Sequence, residues 1–246
     1  MARHDDAAEL VKQGHSPKAI ALSWGVSVTS VTQCLTVAVG RGLLYRSEIL
    51  FAIGESTVKG VDVAAEKYGL RTRWDLQRLL RQALPTIEQG TMDELLFCFD
   101  LRSAPLADMY ELLCNLERYL HTYVRTKMEA VFGPKEWWSK LPKKVRDDCN
   151  DTKEEINDPE HQDDPYRFTT FIHLRVIFED LWNELSQGLP KKVASNRKSF
   201  LSDLTALNGI RNRVMHPIRG YRPSKADFEF VRNFVDRVFV DVDVAH

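Results

Sequence analysis

The sequence predicts an all-α protein: a C-terminal helical bundle preceded by two helix-turn-helix-like repeats. Three observations carry that prediction. Apolar residues recur at spacings of three and four through most of the chain, as the buried stripe of an amphipathic helix requires. Alternating apolar and polar runs, the mark of strands, are almost missing. A self-similar pattern with a period near 45 residues fills the first hundred positions.

The two repeats cover about residues 5–55 and 56–104. Ala19-Ile20-Ala21 with Trp24-Gly25-Val26 returns 44 residues later as Val63-Ala64-Ala65 with Tyr68-Gly69-Leu70. Arg46-Ser47-Glu48-Ile49-Leu50-Phe51 is echoed by Met92-Asp93-Glu94-Leu95-Leu96-Phe97, 46 residues on. In the first repeat, Ser16-Pro17 supplies an N-cap and a proline at the first helical position. Gly25 allows the positive φ of a sharp turn. Ser27 then caps a second helix with Val31 and Leu35 on its inner face. Ala21, Gly25 and Val31 together have helix-turn-helix spacing: close crossing, turn, and buried aliphatic. The second repeat keeps Ala65 and Gly69 but has Asp75 in the place of Val31, so Leu76 is expected to take the apolar role.

That spacing suits a structural repeat or a protein-docking module as well as a DNA reader. On the DNA reading, Thr29, Ser30, Thr32 and Gln33 of the first repeat face the major groove. Arg71, Arg73, Trp74, Arg78 and Arg81 do so in the second, where the arginines equally suit phosphate contacts without base reading.

Leu101-Arg102-Ser103-Ala104-Pro105 ends the second repeat, which puts a domain boundary there and a bundle over residues 105–246. A long helix from about Leu106 to Val131 follows, with Leu112, Leu116, Leu120, Tyr123 and Val124 at helical spacing and Gly133-Pro134 stopping it. Trp137-Trp138 and Leu141-Pro142 fall in the next connection, the tryptophans as core or interface anchors. Residues 147–164 carry nine acidic side chains and one lysine and read as a solvated loop. Asp158, Glu160, His161 and Asp163 in it lack the rigid, supported spacing of a metal site. A second amphipathic helix is expected from Arg167 to Gln187, burying Phe171, Leu174, Ile177, Phe178, Leu181 and Leu185. A third runs from about Ser199 to His216. The last begins after Ser224, which forms an acidic capping box with Asp227, and buries Phe228, Val231, Phe234, Val235 and Val238. Four or five helices in this stretch make a bundle.

The most informative segment is Gly209-Ile210-Arg211-Asn212-Arg213-Val214-Met215-His216-Pro217. It closes an amphipathic helix whose inward residues are Phe200, Leu204 and Leu207, and Pro217 prevents that helix from running on. Here the chain resembles the HEPN superfamily, whose motif is arginine, a polar residue, three further residues, then histidine. Arg211, Asn212 and His216 fill those places. The motif also precedes the final helix of a bundle, and a long first helix carries Glu117 near its middle. The resemblance covers roughly residues 105–240 and leaves out the N-terminal repeats.

The resemblance implies a metal-independent endoribonuclease that needs no cofactor and works as a homodimer, with the motif helices of two protomers meeting. The residue types fit that chemistry. Histidine exchanges protons near neutrality, and arginine offers a permanent charged fork to phosphate oxygens. Arg211 and His216 lie about 140° apart on a helix, whereas Asn212 and His216, four apart, share a face. Asn212 would orient the histidine or the phosphate, and Glu117 would hold Arg211. Arg213, Arg219, Arg222 and Lys225 flank the motif as a basic patch, extended by Lys191, Lys192, Arg197 and Lys198, which suits a salt-sensitive RNA groove. Tyr221 is placed to stack on a base. In prokaryotes such domains recur in toxin–antitoxin and antiphage systems, implying an antitoxin or defence-complex partner beside the RNA substrate. Two other uses stay open: a DNA-binding regulator with the bundle as its dimerisation platform, and an interaction subunit of a larger complex.

Composition sets the limits. The net charge is −1, and residues 1–104 hold 12 basic and 12 acidic side chains, so any polyanion contact must be local. No apolar run approaches the roughly 20 residues of a membrane span. The opening residues lack the apolar core of a signal peptide. Cys34, Cys98, Cys114 and Cys149 are scattered, as reduced thiols are. A cytoplasmic location is expected.

Overall fold

A computed structural model describes residues 3–156, 164–216 and 221–239. The protein is all-α as predicted, with no strand among the described residues. It divides into two compact units after Asp108.

The first unit contains α1 (Arg3–Lys12), α2 (Pro17–Trp24), α3 (Val28–Gly40), α4 (Arg46–Ile53), α5 (Glu55–Tyr68), α6 (Arg73–Ala83) and α7 (Gln89–Leu101). Ser16 Oγ accepts the Ala19 amide and Pro17 opens α2, as the sequence predicts. Gly25 turns the chain at φ 63°, and α2 and α3 meet with a bend of 117°. Ala21, Val31 and Leu35 are buried in one core with Ile20 and Ile49. The α5–α6 pair repeats this plan, with Gly69 at φ 61°.

The copies differ at one point. Ser27 caps α3 two residues after Gly25, whereas Thr72 caps α6 three residues after Gly69. The longer turn moves the register by one. Asp75 is therefore the third helical residue, and its carboxylate accepts from the Thr72 amide at 2.9 Å and the Arg71 amide at 3.3 Å. Leu76, buried in the second core with Leu50, Met92, Leu96 and Phe99, is the true counterpart of Val31. Helix α7 packs against α2 through α6, so it joins both cores.

Helix α8 (Ala104–Phe132) begins inside the predicted break, with Pro105 at its second position, where a missing N–H costs no helical bond. Its start belongs to the first unit because the buried Asp108 carboxylate accepts from Ser47 N (2.8 Å), Ser47 Oγ (2.6 Å) and Arg46 Nη2 (3.0 Å).

The second unit begins with the rest of α8, whose Met109, Leu113, Leu116, Leu120, Val124 and Met128 are fully buried. It continues through α9 (Trp137–Lys140), α10 (Lys143–Ile156), a 3-10 turn (Pro165–Phe168), α11 (Phe171–Asp180), α12 (Trp182–Leu185), a second 3-10 turn (Ser186–Gly188), α13 (Lys191–Ala194), α14 (Arg197–Val214) and α15 (Lys225–Val238). Stacked and edge-on rings join α8, α11, α14 and α15: Tyr123 on Phe178 (6.2 Å), Phe178 on Phe200 (4.9 Å) and Phe200 on Phe234 (5.7 Å). Ser224 and Asp227 form the predicted capping box on α15.

Three expectations are corrected. The acidic stretch is not a loop over its first part: α10 runs to Ile156, because Val145 and Cys149, four apart, give it a buried edge. The helix expected from Arg167 to Gln187 is broken at Leu181, where φ −112° and ψ 32° turn the chain and bring Trp182 to 5.6 Å from Phe200. Helix α14 ends at Val214, so His216 stands beyond it; the residue before a proline avoids the helical region.

Candidate active site and nucleic-acid interface

Arg211 lies in the last turn of α14, and Asn196 caps the other end of that helix by accepting the Ser199 amide at 3.1 Å. Ile210 and Val214 are buried on either side of it. Arg211 Nε lies 3.6 Å from Glu117 Oε2, with side chains 28 % and 17 % exposed. That Nε is inaccessible to solvent and has no hydrogen-bond partner among the described residues. The carboxylate therefore holds the guanidinium by charge rather than by a full hydrogen bond, at a distance the arginine can leave.

Asn212 and His216 are exposed. His216 is off the helix, so the shared-face relation expected of a residue four positions from Asn212 does not apply. It still follows the C-terminal end of α14, where the helix dipole favours a cation.

Glu117 has a second neighbour that the sequence reading missed. His121, one turn along α8, places Nε2 4.0 Å from Glu117 Oε1. Thr169 Oγ1 donates to the Tyr166 carbonyl at 2.6 Å, so that same oxygen accepts from His121 Nδ1 at 3.0 Å. His121 Nε2 then carries the lone pair facing Glu117. Burial, helped by the nearby His173, pulls the pKa of His121 down to about 4. The four-residue spacing of Glu117 and His121 was the available signal. His173 takes the Thr170 amide on Nδ1 at 3.0 Å and turns Nε2 to Asp148 at 3.5 Å; burial lowers its pKa as well.

The basic residues are divided. Arg213 pairs with Asp227 at 3.4 Å and lies over the ring of Tyr221 at 4.6 Å, so both belong partly to the fold. Lys225 pairs with Glu229 at 3.7 Å, and Arg197 donates to the Glu179 carbonyl. Lys191, Lys192, Lys198 and Arg222 are exposed. Arg219 and Pro217 lie outside the described residues, as do Asp158, Glu160, His161 and Asp163. No metal-ligand cluster occurs among the described residues. Trp137 is buried, edge-on to Tyr166 at 5.0 Å, with Trp138 beside it.

In the first unit the two second helices differ in chemistry. On α3 the Thr29 hydroxyl donates to Asp93 (3.4 Å), Ser30 meets Ser27 (2.9 Å) and Thr32 donates to the Thr29 carbonyl (3.0 Å). Gln33 is exposed, and no charged side chain lies on α3. On α6, Arg73 is tied to Asp100 at 3.2 Å, Arg78 sits 3.4 Å from Asp75 and Arg81 is exposed, as is Arg71 just before the helix.

Compared with protein-family models, with curated proteins and with solved structures, the chain matches none. No single helix among the described residues is long and apolar enough to cross a membrane.

Proposed function

We propose that this chain is an endoribonuclease of HEPN type, with Arg211, Asn212 and His216 as its reacting residues. The observation that carries the reading is the seat of Arg211. A buried-edge guanidinium is held by Glu117 at 3.6 Å in the last helical turn, with an exposed histidine five residues further along. RNA cleavage by its own 2′-hydroxyl needs a proton acceptor, a proton donor for the leaving 5′-oxygen, and positive charge on the phosphate. His216 takes the 2′-hydroxyl proton as the oxygen attacks phosphorus. Arg211 neutralises the non-bridging oxygens as their charge grows, and Asn212 orients the phosphate or the imidazole. A second His216, from another copy of the chain, protonates the departing oxygen, leaving a 2′,3′-cyclic phosphate and a 5′-hydroxyl. One chain brings one such histidine, so a homodimer through the bundle is part of the proposal. A toxin or antiphage effector is the setting that the resemblance implies.

Purified protein incubated with total cellular RNA in EDTA tests this reading. Wild type is expected to release fragments with cyclic phosphate ends, and Arg211→Ala and His216→Ala to release none. If all three leave RNA intact, the reading fails.

The 117° bend between α2 and α3 supports a second reading, since helix-turn-helix pairs cross at about 90–120°. The protein is then a DNA-binding regulator with the bundle as its dimerisation platform. Specific binding to duplex DNA, unchanged in His216→Ala, would identify it.

A further inference from the structure

Helix α6 has a buried face and an opposite stripe of unusual composition. Leu76 is buried and Leu80 packs against the same core. Trp74, Gln77, Arg78, Arg81 and Gln82 together line an open groove. They stand at helical positions i, i+3, i+4, i+7 and i+8, which is one face of a helix. Trp74 is 74 % exposed. An indole this exposed sheds little water on folding, so burial does little to account for its position. The groove contains two arginines and no acid. Asp75 stands beside the groove: Thr72 and Arg71 hold one carboxylate oxygen in the cap, and the other pairs with Arg78 at 3.4 Å. Asp100 is taken by Arg73.

We infer that this face of α6 binds single-stranded RNA, with a base stacked on Trp74 and the flanking phosphates on Arg78 and Arg81. Arg81 has no acidic partner among the described residues, and Arg78 shares only the long 3.4 Å contact with Asp75, so both suit a phosphate backbone. A flat indole beside it needs an unpaired base face, because bases in a duplex are already stacked on each other. Gln77 and Gln82 offer both donors and acceptors to base edges. The matching helix α3 has neither a cation nor an exposed aromatic ring, so the two repeats divide their work. The choice of RNA over DNA as the strand rests on the ribonuclease reading; the stacking site does not.

Fluorescence anisotropy with a labelled 2′-O-methyl oligouridylate tests the site. The methyl group removes the attacking hydroxyl, so binding is read without cleavage. Trp74→Ala is expected to bind roughly tenfold more weakly, as loss of one stacked base predicts. Trp74→Phe should recover most of that loss. Arg81→Ala should weaken binding and flatten its salt dependence. Circular dichroism of each variant should match wild type, because these side chains lie outside the core. Unchanged binding by Trp74→Ala, or no binding by wild type, overturns the proposal. Tighter binding to duplex DNA overturns it in favour of groove reading. Equal binding to oligodeoxythymidylate overturns the assignment to RNA. Intact total RNA alongside Trp74-dependent oligonucleotide binding would instead remove only the nuclease reading.

Discussion

Glu117 Oε2 lies 3.6 Å from Arg211 Nε, joining the middle of α8 to the last turn of α14. On the proposed ribonuclease reading, the pair makes Glu117 a positioning residue for the arginine. Glu117→Gln keeps the shape and removes the counter-charge. On the same reading, RNA cleavage is expected to fall roughly 10- to 100-fold in kcat with little change in KM, because a misplaced group costs about this much. Glu117→Gln added to Arg211→Ala should cost nothing more than Arg211→Ala alone. Additive losses would show that Glu117 acts elsewhere.

The neutral His121 makes stability depend on pH. In the unfolded chain a histidine binds its proton near pH 6.5, whereas in the fold His121 stays neutral down to about 4. Between these values the unfolded state holds the extra proton, so stability falls as pH falls through this window. The loss attributable to His121 is on the order of 3 kcal/mol. Urea midpoints at pH 7 and pH 4.5 should therefore differ more for wild type than for His121→Asn. Equal differences would mean that His121 is not the group responsible.

Asp108 concentrates the polar contacts at the start of α8. Asp108→Ala leaves the buried Ser47 amide and hydroxyl without their acceptor. The expected cost is roughly 2–4 kcal/mol, read as a lowered melting temperature. A shift of less than about 1 kcal/mol would contradict the role assigned to this carboxylate.

Two glycines of the α5 region should respond in opposite directions. Gly69 has φ 61°, and Gly60 lies inside the helix with open space where a Cβ would go. Gly69→Ala is expected to cost about 1–2 kcal/mol through left-handed strain. Gly60→Ala is expected to stabilise by about 0.5–1 kcal/mol through helix propensity. Thermal unfolding of both variants decides, and the same sign for both would refute the argument.

Features that depend on neighbours in the chain were legible in the sequence. Ser16, Ser27 and Ser224 cap the helices expected of them, and Gly25 and Gly69 make the turns. The inward faces followed from helical spacing. The repeat register was half visible. Offsets of 44 and 46 residues between the copies signalled two inserted residues, but only the cap at Thr72 located the first of them. The helix through residues 143–156 was hidden because dense acidic charge outweighed its two buried positions.

The sequence by itself determined the helical class, the caps and turns, and the motif of Arg211, Asn212 and His216, because these rest on residues a few positions apart. The structure brings Glu117 to Arg211, as the resemblance implies, but the tertiary structure alone decided that Asp108 reaches Ser47 and that Trp74 stays in the open. Those relations depend on which buried faces meet, and apolar burial pulls faces together without direction, so helical spacing shows that a face is buried but not what it meets.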